Sequence, residues 1–276
     1  MNPAARPWRT ENWADFLPST LGYSAAPVDL HAVARHRRIK HLGLRFMIPR
    51  GMLVPVEGGF EVYLRDHDRK DVDISKSEPD GELTARQRFS LAHEIAHTLF
   101  YKFSSETPAP EPISNDLELE KTCDRTAGHI LIPTDLLKRD IGDYERIDAR
   151  FVQWVARTYR TSLTVAISRL TLVEPSNPFE RCILLVHRSQ GDGHIRAAYF
   201  GVGLYRTLPR PIPYARLTEW IADFPVGFIE GKGSSDWKTT RKGRALEFEK
   251  TELGSGSDFL LQVQVLPSNP AGVKAA

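Results

Sequence analysis

The run HEIAH at positions 93–97 places two histidines four residues apart, with a glutamate directly after the first. On a helix, His93 and His97 differ in direction by only about 40°, so both imidazoles can bind one metal ion from the same face. Glu94 is turned about 100° from His93, so it can act on a water molecule instead of binding the ion. The spacing predicts a divalent metal centre with Glu94 as general base.

A pattern this short also occurs by chance, as two histidines on a helix face beside a solvated glutamate. The surrounding sequence argues against chance, because the segment from Leu83 to Phe103 carries apolar residues around most of a predicted helix. Burying two imidazoles and a carboxylate without partners is costly, whereas a shared metal ion satisfies all three. We therefore expect a buried helix that carries a metal site.

The third ligand determines the class of metal site. A metzincin would need glycine and histidine where this chain has Phe100 and Phe103, so that class is excluded. A glutamate on a following helix is the usual alternative, and Glu120 begins an inward-facing stripe of the next predicted helix. We predict Glu120 as the third ligand. If Glu120 instead belongs to a solvated first turn, Glu118 is the next candidate.

Four other side chains near these residues have candidate roles. Asp124 could accept a hydrogen bond from a ligating histidine and so fix its tautomer. Tyr101, seven residues after Glu94 on the predicted helix, is a candidate donor to a developing oxyanion, with half-buried packing as the alternative. We interpret Cys123 as a small core residue rather than a switch, and His129 as a surface histidine.

Two motifs together resemble the ImmA/IrrE metallopeptidases, namely RQRFSLAHEIAH at 86–97 and ExxCDxxAxxILIP at 120–133. The resemblance covers residues 27–172. It implies a zinc-dependent peptidase that relieves phage, mobile-element or radiation-response repression. The partner implied is a protein substrate, a helix-turn-helix repressor encoded nearby.

The resemblance also carries site residues over to this chain. It implies that Glu94 is catalytic and that the metal, zinc with manganese as the alternative, is bound by His93, His97 and Glu120. Many members of the family have Asn where this chain has Asp124. The aspartate makes the site look more like that of the gluzincins.

The elements that must position these residues predict an α+β fold. Partial alternation between Leu42 and Leu64 predicts a small antiparallel sheet that ends in a hairpin. We expect a gluzincin-like catalytic domain, made of this sheet and the helices that bear the site. Periodicity and caps predict helices at 27–38, 83–103, 117–132 and 134–142, and a helical pair within 148–171.

The length of 276 residues favours more than one domain. We assign 1–147 to a zinc metallopeptidase domain, 148–178 to a helix-turn-helix-like pair and linker, and 179–276 to a C-terminal α+β domain. That last part contains RCILLVHR, IRAAYFGV and DFLLQVQVL as predicted strands, YARLTEWIADF as a predicted helix and a loop at 227–243. By the same resemblance it could correspond to a sensor-like domain similar to GAF domains, with a role in sensing or substrate recognition.

Composition restricts the partners and the compartment. The 37 basic and 35 acidic residues give a net charge of +2, without the bias that phosphate-backbone binding usually leaves. We therefore interpret the helical pair as packing on the catalytic core. Direct DNA binding through its residues Arg157, Arg160 and Arg169 is the weaker alternative. Two cysteines and the lack of a long apolar segment lead us to expect a cytoplasmic protein with no membrane partner.

Two classes of function follow from these residues. The first is an endopeptidase, whose peptide substrate would pair with the strand Phe60–Leu64 beneath a proline-rich flap at 104–116. The second is a regulatory protein that holds a metal but acts by binding DNA or a protein. An intact Glu94 favours the first class, because a purely structural metal site needs no general base.

Overall fold

The computed structural model describes residues 13–14, 20–21, 24–65, 71–72, 83–103, 106–112, 115–144, 147–173, 181–189, 192–200, 214–220, 237–241, 244–254 and 257–265. These residues have the mixed α+β composition that the sequence predicts. The chain divides into two compact units. One comprises Met1–Asp143 with Val155–Ser162, and the other comprises Tyr144–Trp154 with Leu163–Ala276.

The first unit contains a four-stranded sheet preceded by a short helix. Helix α1 is Leu30–His36, and the strands are β1 (Ile39–Arg45), β2 (Gly51–Val56), β3 (Gly59–Arg65) and β4 (Asp71–Val72). The strand order is β2-β3-β1-β4, which places β2 at one edge. Strands β2 and β3 form the predicted hairpin, whose turn includes Gly58 at a φ of 67°, a conformation that favours glycine.

The prediction of an antiparallel sheet is correct for the hairpin and wrong for the pairing of β1 with β3, whereas β1 and β4 pair antiparallel. Strand β1 runs parallel to β3, with Leu42 opposite Val62 and Leu44 opposite Leu64. Between them the chain passes through the reversed strand β2, so β1 and β3 run in the same direction. Both strands bury nearly continuous apolar runs, which is typical of parallel pairing.

The site helices follow the sheet. Helix α2 is Ala85–His97, α3 is Asp116–Leu131 and α4 is Thr134–Gly142. Helix α2 begins with a capping box in which Thr84 Oγ1 accepts from the backbone N–H of Gln87, and the Gln87 side chain accepts from the backbone N–H of Thr84. It packs against α3 and against strands β2 and β3. Helix α3 begins after its cap Asn115, whose side-chain oxygen accepts from two backbone N–H groups.

Helix α2 ends earlier than predicted. After His97 the chain forms one 3-10 turn, Thr98–Phe100, and then strand β5, Tyr101–Lys102. Strand β5 pairs with β6, Ala109–Pro110, and we call this pair the β5–β6 ribbon. The ribbon gives the backbone groups after His97 hydrogen-bond partners that a longer helix would not offer. One of these bonds runs from Glu111 N–H to Phe100 C=O. The periodicity of Leu99 and Phe103 therefore reflects packing and not a continuing helix.

Helix α5, Ala149–Thr158, contributes residues to both units, and α6, Leu163–Val173, belongs to the second. The second unit has an antiparallel sheet in the order β8-β7-β11-β10-β9. Helix α6 packs on β8, where Thr171 Oγ1 donates to Ala198 C=O at 3.3 Å. The strands are β7 (Arg181–Ser189), β8 (Asp192–Phe200), β9 (Trp237–Arg241), β10 (Arg244–Glu252) and β11 (Asp258–Val265).

The three predicted C-terminal strands correspond to β7, β8 and β11, but two of the five strands were not predicted. Strand β9 lies within the segment 227–243 that we expected to be a loop, and β10 follows it. Both strands are rich in charged residues, which weakens their strand signal. Of the predicted helix YARLTEWIADF, only α7, Leu217–Trp220, is helical among the described residues. Tyr214 lies in a turn and Arg216 forms a β-bridge with His194, and residues 221–224 lie outside the described residues.

Among the described residues, no helix is both long enough and apolar enough to cross a membrane.

Candidate metal centre

Helices α2 and α3 bring three potential metal ligands together. His93 Nε2 lies 3.0 Å from His97 Nε2 and 3.1 Å from Glu120 Oε2, and His97 Nε2 lies 3.3 Å from Glu120 Oε1. One ligand atom from each residue lies within 4.8 Å of the other two. The two histidines share a helix face because they are four residues apart, and the packing of α3 on α2 supplies the carboxylate.

Asp124 orients the first histidine. Its Oδ1 accepts a hydrogen bond from His93 Nδ1 at 2.8 Å. This bond fixes the tautomer, so that His93 Nε2 is directed toward His97 and Glu120 with its lone pair available. Asp124 lies one helical turn after Glu120, which is why both carboxylates reach the same imidazole.

Glu94 lies beside this group without being part of it. Its side chain is buried, and its carboxylate accepts a hydrogen bond from the backbone N–H of Leu53 in β2. Burial raises the pKa of Glu94 to about 7, and the negative charge of Glu120 adds to this effect. The charge of His93, which is second in size to burial, and the weaker bond from Leu53 oppose the rise. A carboxyl group with a pKa near 7 can both accept and return a proton near neutral pH.

The two imidazoles differ in basicity. Burial lowers the pKa of His93, but the bond to Asp124 and the nearby carboxylates outweigh burial, and the net shift is upward. Burial also lowers the pKa of His97, and the charge of His93 lowers it further. His93 is therefore the stronger base of the pair.

An open cavity of about 530 Å³ gives access to these groups. One wall is formed by α2 and α3, including Phe89, Ser90 and the five polar site residues of these helices. The opposite wall is formed by Pro49, Arg50 and Gly51, where the β1–β2 loop enters the edge strand. The site thus combines convergent ligands with an open cavity of the size typical of ligand pockets.

The cavity wall at β2 presents backbone groups that are not bonded to β3. Arg65 N–H donates to Arg50 C=O at 3.0 Å, so these two residues form a hydrogen-bonded pair of the hairpin. In an antiparallel pair the bonded and non-bonded positions alternate. The backbone groups of Gly51 and Leu53 are therefore turned away from β3.

Comparison with known proteins identifies the part of the chain that bears this site. Residues 67–171 match the model of the Peptidase_M78 family, described as the IrrE N-terminal-like domain. This segment is similar to the IrrE N-terminal-like domain. The match confirms the resemblance to the ImmA/IrrE family, a family of peptidases.

The other comparisons say less about the IrrE-like domain. No curated protein matches the chain. One solved structure, a Mycobacterium tuberculosis transcriptional regulator, aligns with a TM-score of 0.50 at 12% identity, covering 93% of this chain and 75% of that one. At that identity the similarity concerns the fold alone.

Within the IrrE-like domain, the predicted site residues lie in different environments. His93, His97, Glu120 and Asp124 converge as described, whereas Glu118 forms an exposed ion pair with Lys121 at 2.9 Å. Tyr101 is not among the residues that line the cavity.

The ring of Tyr101 packs edge-on against Phe60 with a centroid distance of 5.1 Å. The helical position used to predict its role is wrong, because Tyr101 lies in the β5–β6 ribbon.

Two further predictions for α3 have different outcomes. Cys123 is buried beside Ala96 and Phe100, as expected of a core residue. His129 is buried, so its prediction as a surface histidine is wrong. Helix α3 is covered along most of its second half, and a helix with two buried faces has few positions that point to solvent.

Sequence patterns did not predict the contribution of Gly51 and Leu53. An edge strand contributes backbone groups to a site, and no side-chain motif encodes them. The only available signal was the glycine after Pro49-Arg50, which also fits an ordinary turn.

Proposed function

We propose that this protein is a zinc-dependent endopeptidase that cleaves a transcriptional repressor. The observation that supports this most directly is the position of Glu94. It is buried at the cavity beside three convergent ligands and is not one of them. A site with only a structural metal has no use for such a carboxylate. The gluzincin-like character of the domain is part of this proposal.

The residues present suit a zinc ion. Two imidazole nitrogens and one carboxylate oxygen are a ligand set typical of catalytic zinc, which keeps a further position open. His93, His97 and Glu120 would hold the ion, with Asp124 supporting His93. Manganese is the alternative ion. When bound, the metal supplies a Lewis acid that activates water and polarises the scissile carbonyl.

Glu94 transfers the protons in this mechanism. Its carboxylate takes a proton from the attacking water and returns it to the nitrogen of the leaving amine. Its burial keeps bulk water from competing for that proton. Tyr101 as a donor to the oxyanion remains a proposal. Burial and the negative charge of Glu94 raise the pKa of Tyr101, so its hydroxyl stays protonated and able to donate.

The substrate peptide is proposed to bind along β2. The earlier choice of Phe60–Leu64 is wrong, because this segment lies in β3, which has β2 on one side and β1 on the other. Only an edge strand can accept an added strand. On β2, Gly51 offers both backbone groups and Leu53 its carbonyl, since the Leu53 N–H is bonded to Glu94.

Exposed apolar side chains extend this wall. Phe46 and Ile48 are 70% and 89% exposed in the loop that leads to the cavity residues Pro49 and Arg50. Such residues stabilise a bound peptide by burying apolar surface. We propose that they favour apolar substrate side chains and that the second unit recognises the folded repressor.

The competing function is regulation without proteolysis, by binding DNA or a protein. Of the three arginines proposed as DNA contacts, Arg169 is buried and cannot reach a phosphate, whereas Arg157 is exposed. This weakens the DNA-binding alternative, and the helix-turn-helix resemblance stays a proposal.

Incubation of the zinc-loaded protein with the repressor encoded beside its gene tests the two functions. A peptidase produces discrete fragments that a chelator abolishes and zinc restores. Intact repressor, combined with a gel shift on operator DNA, would support the competing function.

A further inference from the structure

The edge of strand β2 contacts Glu94 at two positions. The backbone N–H of Leu53 donates to the carboxylate. Two residues earlier, Gly51 faces the same side chain so closely that an added Cβ would collide with Oε1 and crowd the carbons behind it. A carboxylate held between a donor and a close backbone has little freedom to rotate.

Neither contact is needed by the sheet. The hydrogen bond between Arg65 and Arg50 fixes which residues of β2 bond to β3, because bonded and non-bonded residues alternate. The Leu53 N–H therefore points away from β3. Pro55, two residues later on the same strand, has no N–H at the equivalent outward position, and the hairpin forms nonetheless. The N–H of Leu53 therefore serves the site. The lack of an N–H at Pro55 leaves the hydrogen bonds between β2 and β3 unchanged.

We propose that Gly51 and the backbone N–H of Leu53 are positioning residues that hold the Glu94 carboxylate in the orientation needed for proton transfer. This inference rests on the proposed peptidase function. Gly51 provides the space into which the carboxylate fits, and Leu53 provides the bond that selects one orientation within it. A displacement of about 1 Å in a catalytic group can cost on the order of 100-fold in rate.

Amide hydrogen exchange of the full-length, metal-free protein tests the contact without relying on activity. The amide of Met52 should exchange slowly because it bonds to β3, and the amide of Gly51 should exchange fast because it faces the free edge. The Leu53 amide also faces that edge, yet it should exchange slowly. In Glu94→Ala it should become as fast as the Gly51 amide, while Met52 stays slow. Fast exchange of Leu53 in the wild type would overturn the proposal.

Kinetics on fluorescently labelled casein, with zinc-loaded variants, test the consequence of the contact. Gly51→Ala should lower kcat about 100-fold, and Leu53→Pro, which removes the donor, about tenfold. In both variants KM and zinc content should remain within about twofold, because the ligands and the other backbone groups of β2 are kept.

Matched controls separate positioning from general damage. Leu53→Ala keeps the N–H, and Gly142→Ala adds a Cβ where no atom lies within 4 Å. Gly142→Ala should retain kcat within about twofold, and Leu53→Ala, which keeps the donor, should lose far less kcat than Leu53→Pro. Wild-type kcat in Gly51→Ala and Leu53→Pro, or an equal loss in Leu53→Ala and Leu53→Pro, would overturn the proposal.

A wild-type protein that cleaves neither casein nor the repressor would refute the peptidase function, and the positioning role would fall with it. The exchange pattern would still show whether Leu53 and Glu94 are in contact.

Discussion

At the scale of single residues, the site separates metal binding from proton transfer. His93, His97 and Glu120 point at one another, whereas Glu94 is held by the opposite wall of the cavity. The two functions can therefore be removed independently by substitution.

Replacing Glu94 with glutamine should abolish catalysis and leave the metal in place. The amide keeps the size of the side chain but cannot accept the proton, so kcat should fall by at least about 100-fold. Zinc content should remain near that of the wild type, because no ligand is lost. Elemental analysis and cleavage assays on the same preparation measure both quantities. Full activity in this variant would rule out Glu94 as the base.

Replacing Glu120 with glutamine should weaken zinc binding. A ligand oxygen with a negative charge is lost, so the affinity should fall by more than the 10- to 100-fold that is typical of a supporting residue. The stabilisation by zinc, about 2.7 kcal/mol when zinc exceeds its Kd by 100-fold, should shrink accordingly. A competition titration against a chromogenic chelator measures the affinity.

Glu118→Gln is the matched control, since Glu118 lies on the first turn of the same helix and pairs with Lys121 in solvent. Its zinc affinity should equal that of the wild type. If Glu118→Gln weakened binding and Glu120→Gln did not, the third ligand would have to be reassigned.

At the scale of elements, the capping box at the start of α2 should support the metal site. Thr84→Ala removes a capping hydrogen bond and should cost about 1 kcal/mol of helix stability. Urea unfolding, followed by zinc release, should show a lower midpoint. Ser168→Ala, at an exposed position within α6, is the control and should be neutral or slightly stabilising, because alanine is the better helix former. Equal midpoints for Thr84→Ala and the wild type would mean that the box contributes nothing to the site.

Local signals explain which elements could be predicted from the sequence. Helices α3 and α4 have a polar cap or a proline at their ends and regular apolar spacing, so their bounds were predicted within one or two residues. The end of α2 at His97 and the pairing of β1 with β3 could not be predicted in this way. Both depend on partners that are distant in the sequence, namely the β5–β6 ribbon and a strand separated from β1 by the hairpin.

The candidate site shows the same division between local and distant information. The helical spacing of His93 and His97 and the stripe on α3 predict the convergent ligands, because side-chain direction follows from helix geometry. The backbone contribution of β2 depends on its place in the sheet, which residue types do not encode.

At the scale of the whole molecule, the position of α6 determines where the chain can be cut. A fragment 1–178 would keep α6 but remove β8, against which it packs. The buried residues of α6, including Ile167 and Leu170, would then be exposed to solvent.

We therefore expect fragment 1–178 to bind a hydrophobic dye and to associate, because it exposes a contiguous apolar face. Fragment 1–162, which ends before α6, should bind less dye and associate less. Dye fluorescence and size-exclusion chromatography compare the two fragments. If both fragments were monodisperse and gave no dye fluorescence, we would conclude that the C-terminal sheet does not cover α6.

The burial of both cysteines makes site-selective labelling possible. Cys123 and Cys182 are the only thiols in the sequence, and burial raises the pKa of each. A thiolate is the form that reacts with maleimides, so the native protein should give almost no background. A cysteine introduced at the exposed Lys102 would then carry a single fluorophore on the β5–β6 ribbon. Its emission would report in real time whether the ribbon moves when a peptide enters the cavity.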